Sequence, residues 1–111
     1  MTKRYAKETY KVYDGDDRII SIDFEGLLDE GETLTGTPTV QEDADTPSLT
    51  ITEEQVNTTE IVIKRRKVAV GQAVLFRLDR GSADVGDYEI DVTVATSAGQ
   101  TLPGSVKIEC V

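Results

Sequence analysis

The sequence predicts an all-β fold, an antiparallel β-sandwich of about seven or eight strands that stands without a disulfide. Three observations carry this. Apolar residues alternate with polar ones at a period of two almost throughout. Turn-forming clusters rich in Gly, Asp and Ser punctuate that alternation at short intervals. The only cysteine in the 111 residues is Cys110, so no bridge can form within the chain.

The strands follow in order. The stretch "ETYKVY" puts Tyr10 and Val12 on one face. In "RIISIDF" Ile20, Ile22 and Phe24 share a face, and in "ETLTGTPTV" Leu34 and Val40 share parity. Leu49 and Ile51 pair in "PSLTIT", and Ile61 and Ile63 in "TTEIVIK". The later strands are the most regular: Val74, Phe76 and Leu78, then Tyr88, Ile90, Val92 and Val94, then Val106, Ile108 and Cys110. Val, Ile and Thr dominate, as suits half-buried antiparallel strands. Turns are expected at residues 14–17, 29–32, 70–72, 79–82, 97–100 and 102–104. One helical turn is expected in "FEGLLDEG", closed by Gly31. The whole chain, residues 1–111, reads as one domain, with residues 1–13 either its first strand or an N-terminal arm.

The stretch "DVGDYEIDV" refines the class. Asp84, Gly86 and Tyr88 form the Asp-x-Gly-x-Tyr pattern that opens strand F of immunoglobulin-like sandwiches. The phenol of such a tyrosine bonds back to upstream backbone and ties the corner to the sheet. In antibody domains the residue two beyond it is a disulfide cysteine; here it is Ile90. The expected fold is therefore an immunoglobulin-like sandwich whose corner rests on Asp84, Gly86 and Tyr88.

Composition excludes several functions. The absence of histidine removes the commonest general base and the commonest transition-metal ligand. No Ser-His-Asp set, glycine-rich phosphate loop or paired-cysteine site is present, so no enzyme and no cofactor are expected. No apolar run approaches the roughly 18 residues of a membrane helix. The N-terminal "MTKRYAKETYKVYDGDD" lacks the apolar segment of a signal peptide, which predicts use without export. The net charge is −9 and unevenly spread. Residues 1–13 hold four bases and one acid; residues 14–54 hold thirteen acids and one base; the remainder is balanced at seven each. Nucleic acid and anionic membranes are poor partners for such a surface.

A few local features invite sharper readings. Lys64, Arg65, Arg66 and Lys67 form a basic tetrad expected at a hairpin tip or strand edge. It reads either as a docking patch facing the acidic half of a neighbouring copy or as charge that protects an edge strand. Asp16, Asp43, Asp45 and Asp84 offer a loose calcium site between loops, set against solvated acidic loops. Cys110 reads as an apolar residue on the inner face of the last strand. Residues 57–59, "NTT", match a glycosylation acceptor by chance.

Taken in order, "YDGDDRIISIDFEGLLDEGETLTGTPTV" and "VAVGQAVLFRLDRGSADVGDYEIDVTVATSAGQTLPGSVKIECV" resemble a group of small tailed-bacteriophage virion proteins with an Ig-like fold, the fiber–tail adaptor or neck-associated proteins. The likeness spans about residues 10–111 and rests on "LLDEGETLT", "LDRGSADVGDY", "EIDVTVATSAGQT" and "SVKIECV". Arg80 stands where that group often has a second turn glycine. The resemblance implies a non-enzymatic structural protein of the virion, assembled in the bacterial host cytoplasm. It implies a homo-oligomeric ring or multiple copies docking onto portal, neck, tail or fiber proteins. The alternative reading is a capsid decoration or host-surface binding module of the same fold; a calcium-dependent adhesion domain is a third.

Overall fold

The computed structural model describes residues 6–111. Nine strands build it: β1 (Ala6–Val12), β2 (Asp17–Asp23), β3 (Leu34–Glu42), β4 (Thr50–Val56), β5 (Ile61–Ile63), β6 (Arg66–Val68), β7 (Ala73–Asp79), β8 (Gly86–Thr96) and β9 (Thr101–Cys110). One sheet runs β1-β9-β8-β3 and the other β2-β7-β4. The chain crosses between them after β1, β2, β3 and β7. The result is the β-sandwich that the alternation predicts, with the immunoglobulin-like form expected from the Asp-x-Gly-x-Tyr pattern and without a disulfide.

The two inner faces are the predicted apolar sets. Ile20, Ile22, Phe24, Val74, Phe76 and Leu78 lie fully buried against Ile90, Val106 and Ile108, with Val92 and Val94 beside them. Their partners of opposite parity, such as Glu89, Asp91 and Thr93, are exposed. Each fully buried Ile, Leu or Phe contributes roughly 1.5–3 kcal/mol. Cys110 faces inward at the end of β9, where burial pushes its thiol pKa up despite the nearby Arg80 guanidinium.

Four features depart from the sequence reading. The two sandwich sheets hold seven strands, as expected, but a short hairpin, β5–β6, is inserted between β4 and β7 as its own two-stranded sheet. β1 pairs parallel with β9, from Ala6 opposite Gly104 to Val12 opposite Cys110, so one pair in the sandwich is not antiparallel. Residues 6–12 are thus a strand; the alternative of an arm now concerns only residues 1–5, which lie outside the described residues. The helical turn is a 3-10 turn at Glu25–Leu27 that ends at Leu28, and Gly31 (φ 80°) serves the next turn, closed by Glu32 N–H on the Asp29 carbonyl.

The fourth departure is instructive. "LPG" at 102–104 is no turn; it lies inside β9. Pro103 pairs with Thr93 on one side, beyond the last β1 partner at Gly104, so its missing N–H breaks no described β1 bond. Gly104 is a packing glycine. A Cβ there would sit 2.8 Å from Phe24 Cζ and 3.0 Å from Ile22 Cδ1, both on fully buried side chains of the opposite sheet. Gly104→Ala should therefore lower stability by about 1–3 kcal/mol through overpacking. Chemical denaturation would check this; an unchanged midpoint would show that the two sheets can separate without cost.

Candidate functional site

Two ends of the molecule concentrate its polar chemistry: the β5–β6 hairpin on the β1/β2 side, and the loop between β3 and β4 on the other.

The hairpin turns on Lys64 and Arg65, between the paired residues Ile63 and Arg66. Both central residues have positive φ, 48° and 73°, as a two-residue turn matched to strand twist requires. Asn-Gly is the usual solution; an L side chain in this region costs roughly 1–2 kcal/mol per residue. Lys64 has contacts that offset its share. Its Nζ donates to the Thr9 carbonyl at 2.8 Å, lies 3.3 Å from Glu8 Oε1 and sits 4.8 Å from the centre of the Tyr10 ring. Arg66 reaches the other Glu8 oxygen at 3.3 Å and Asp23 at 3.6 Å. Glu8 is only 7% exposed, so its carboxylate needs both cations. Tyr10 completes the clamp by donating to the Ser21 carbonyl on β2, and burial raises its pKa.

The tetrad is thus divided. Lys64 and Arg66 join the hairpin to β1 and β2 across the edge of the sandwich. Arg65 and Lys67 are exposed, and among the described residues neither makes a hydrogen bond or ion pair. Val62, paired with Lys67 on the same face of the hairpin, is 66% exposed. Sequence reasoning could not divide the tetrad, since the partners lie on strands far away in the chain.

On the opposite side, residues 43–49 connect β3 and β4; residues 43–48 are exposed throughout and Leu49 is buried. Asp43 N–H bonds the Glu89 carbonyl, which places it beside the outer face of β8. Local desolvation, reinforced by the carboxylates of Asp43 and Glu89, raises the pKa of the exposed Asp91. Glu89 accepts from Ser105 Oγ at 2.7 Å. Of the calcium candidates, Asp16 Oδ2 accepts from Tyr13 N–H at 2.8 Å within its own turn. No three metal-ligating side chains converge among the described residues.

The strand-opening pattern has a defined geometry. Tyr88 Oη donates to the Asp84 carbonyl at 2.8 Å, so the backbone of Asp84, and not its carboxylate, receives the phenol. Burial raises the Tyr88 pKa, with the Cys110 and Asp84 charges adding to it. Gly86 has φ 152°, a region L side chains rarely adopt. Arg80 is only 3% exposed and is held by three carbonyls: Ala83 through Nε at 3.2 Å, Val12 at 3.0 Å and Val111 at 2.8 Å through Nη1. It ties the corner to the ends of β1 and β9, a task no turn glycine could perform.

Two further buried polar residues, Asn57 and Glu32, hold structural roles that the sequence did not show. Asn57 donates from Nδ2 to the Thr59 and Ala69 carbonyls and accepts from Gln72 and Ala73 N–H. Both amide protons are committed and the side chain is buried, so the "NTT" match is a structural hub in the folded chain and no acceptor. Glu32 accepts from the Thr96 hydroxyl at 2.6 Å and from Asp29 N–H at 2.9 Å, and these bonds lower its pKa. A groove of about 540 Å³ runs between β3 and β4, lined by Leu34, Thr37, Glu54, Val56 and Val70 among others. It holds one ionisable group, Glu54, and no facing partner for acid–base work.

No family model matches the sequence, and no curated protein matches it. Among solved structures, a family 123 glycoside hydrolase from Clostridium perfringens is similar over 95% of this chain, at 9% identity and a TM-score of 0.42. The chain spans 22% of the length of that protein.

Two outcomes follow from the geometry. Replacing Arg65 by glycine should stabilise the fold by about 0.5–1 kcal/mol, since a positive-φ residue with no described partner loses its strain. A Tm that falls would show that the Arg65 side chain holds the hairpin. Thr96→Val removes the hydroxyl that lowers the Glu32 pKa. A depressed carboxylate stabilises the fold above its unfolded pKa and loses that contribution as pH falls through the folded value. The variant should therefore be less stable at neutral pH, with the difference from wild type shrinking as pH drops through the folded Glu32 pKa. A pH-independent difference in denaturation midpoint would remove the Glu32 linkage.

Proposed function

We propose that this chain is a non-enzymatic structural adaptor in the neck or tail of a tailed bacteriophage, docking in several copies onto portal, neck, tail or fiber proteins. The ordered motifs of the resemblance support the virion assignment. One structural observation supports docking over chemistry. No buried side-chain nitrogen or oxygen lacks a hydrogen-bond partner among the described residues. Buried Glu8, Glu32, Glu42, Asn57, Arg80 and Thr96 are all engaged within the fold. The charge left for other molecules lies on exposed loops and the hairpin.

The mechanism is attachment without turnover. A rigid sandwich presents fixed charged edges, and repetition by symmetry multiplies each weak contact. The test is co-expression of the chain with portal, neck, tail and fiber proteins, followed by affinity purification and electron microscopy of the complexes. An adaptor co-purifies with at least one of them in a defined stoichiometry. Binding only to preassembled capsids or to glycans would overturn the adaptor reading in favour of a decoration or host-surface module.

A further inference from the structure

Arg65 occupies a strained position that glycine or asparagine would fill at lower cost. Lys64 recovers its strain through Thr9, Glu8 and Tyr10, whereas Arg65 has no described contact to do so. Backbone strain of this kind gathers where a side chain must be presented. Arg65 and Lys67 flank an exposed valine, Val62, giving a small patch with an apolar centre and a basic rim. Lys64 and Arg66 fix that patch rigidly to β1 and β2.

The strand orders place this patch opposite its charge complement. β1 and β3 are the two edges of the four-stranded sheet, and β2 and β4 are the two edges of the three-stranded sheet. β1 lies beside β2 and β3 beside β4. The hairpin is clamped to the β1/β2 side, while residues 43–49 join β3 to β4 on the other. Three inter-strand steps, on the order of 14 Å, separate β1 from β3. Asp43 and Asp45 are exposed there without a described ion pair, and Asp91 near Asp43 is crowded by the carboxylates of Asp43 and Glu89. Ala44 and Pro47 lie exposed in the same loop, apolar counterparts for Val62.

We infer that the hairpin tip of one copy, through Val62, Arg65 and Lys67, docks on the 43–48 loop of a second copy, through Asp43 and Asp45 with Asp91 beside them. This rests on the docking reading above and names one of its partners. Because the two surfaces differ and lie on opposite sides, the contact is head-to-tail. It leaves one basic and one acidic surface open at the ends of any chain of copies, so association continues until the rotation closes a ring. The net charge of −9 repels copies at long range, so the contact depends on local complementarity and shows a salt dependence.

Charge reversal on each side separately gives a two-sided test by sedimentation velocity. Arg65→Glu with Lys67→Glu gives the chain an acidic hairpin facing an acidic loop. Asp43→Lys with Asp45→Lys gives it a basic loop facing a basic hairpin. The wild type is expected to self-associate with increasing concentration. Either double variant alone should weaken that association by about tenfold or more in Kd, the worth of two rim ion pairs. An equimolar mixture of the two should recover it, since each supplies the charge the other lacks. Circular dichroism establishes that both remain folded. A wild type that stays monomeric at every concentration and salt, or a mixture that fails to recover association, would sink the inference. The hairpin variant is also tested against the virion proteins of the affinity purification. If it still co-purifies with them, loss of self-association leaves the adaptor reading standing; if the wild type captures none, that reading fails on its own.

Discussion

The close approach of the two sheets, with no disulfide between them, is the constraint on which the rest of this molecule depends. Gly104 on β9 leaves room for Phe24 and Ile22 from the opposite sheet to press against its backbone. Around that contact the inward residues of β2, β7, β8 and β9 are nearly all excluded from water. Ile90 stands where an antibody domain places a disulfide cysteine, and it is fully buried. A bridge stabilises by roughly 2–4 kcal/mol, and a buried isoleucine contributes about as much. The sandwich therefore loses little by lacking the bridge, provided its packing is tight.

A tight core limits where polar groups can go, because each one buried without a partner costs roughly 1–3 kcal/mol. Three of the buried polar residues sit at the ends of strands, and each joins separate segments of the chain there. Asn57 ties the end of β4 to the start of β7, around the inserted hairpin. Glu42 draws the 43–48 loop back through Ser48 and Leu49 N–H. Arg80 gathers the ends of β1 and β9 at the corner. On the outer face of the three-stranded sheet, Arg77 bridges Asp17 on β2 and Glu53 on β4, and the salt-bridged geometry raises its pKa. Thus much of the charge that composition presents as surface is internal fastening.

This division explains what was legible in the sequence. Alternation with period two reports which side of a strand is wet, and every strand with a long alternating run was readable for that reason. Pro103 and Gly104 were misleading because the same residue types make turns and permit close backbone approach, and only the partner sheet distinguishes the two. β6 was hidden because its three residues, Arg66, Lys67 and Val68, offer too short a pattern and too much charge. The corner at Tyr88 was legible through spacing alone, since its bond runs four residues back along the same chain. The clamp on Glu8 was not, because its cations lie 56 and 58 residues further along the chain.

The two lateral sides of the sandwich are built differently, and that asymmetry carries the functional argument. On the β3/β4 side both edge strands are interrupted, at residues 35–39 of β3 and 52–55 of β4, where Glu53 adopts φ 57°. Such irregularities spoil an edge for continuous pairing with another strand. Association through extended sheet formation is therefore disfavoured there. On the β1/β2 side the hairpin covers the gap and fixes two cations in place while leaving two outward. A protein selected only for stability would place glycine in that turn. One that keeps arginine there, at a cost in strain, gains an outward charge on a turn whose backbone is set by the fold, so docking has less backbone order to impose.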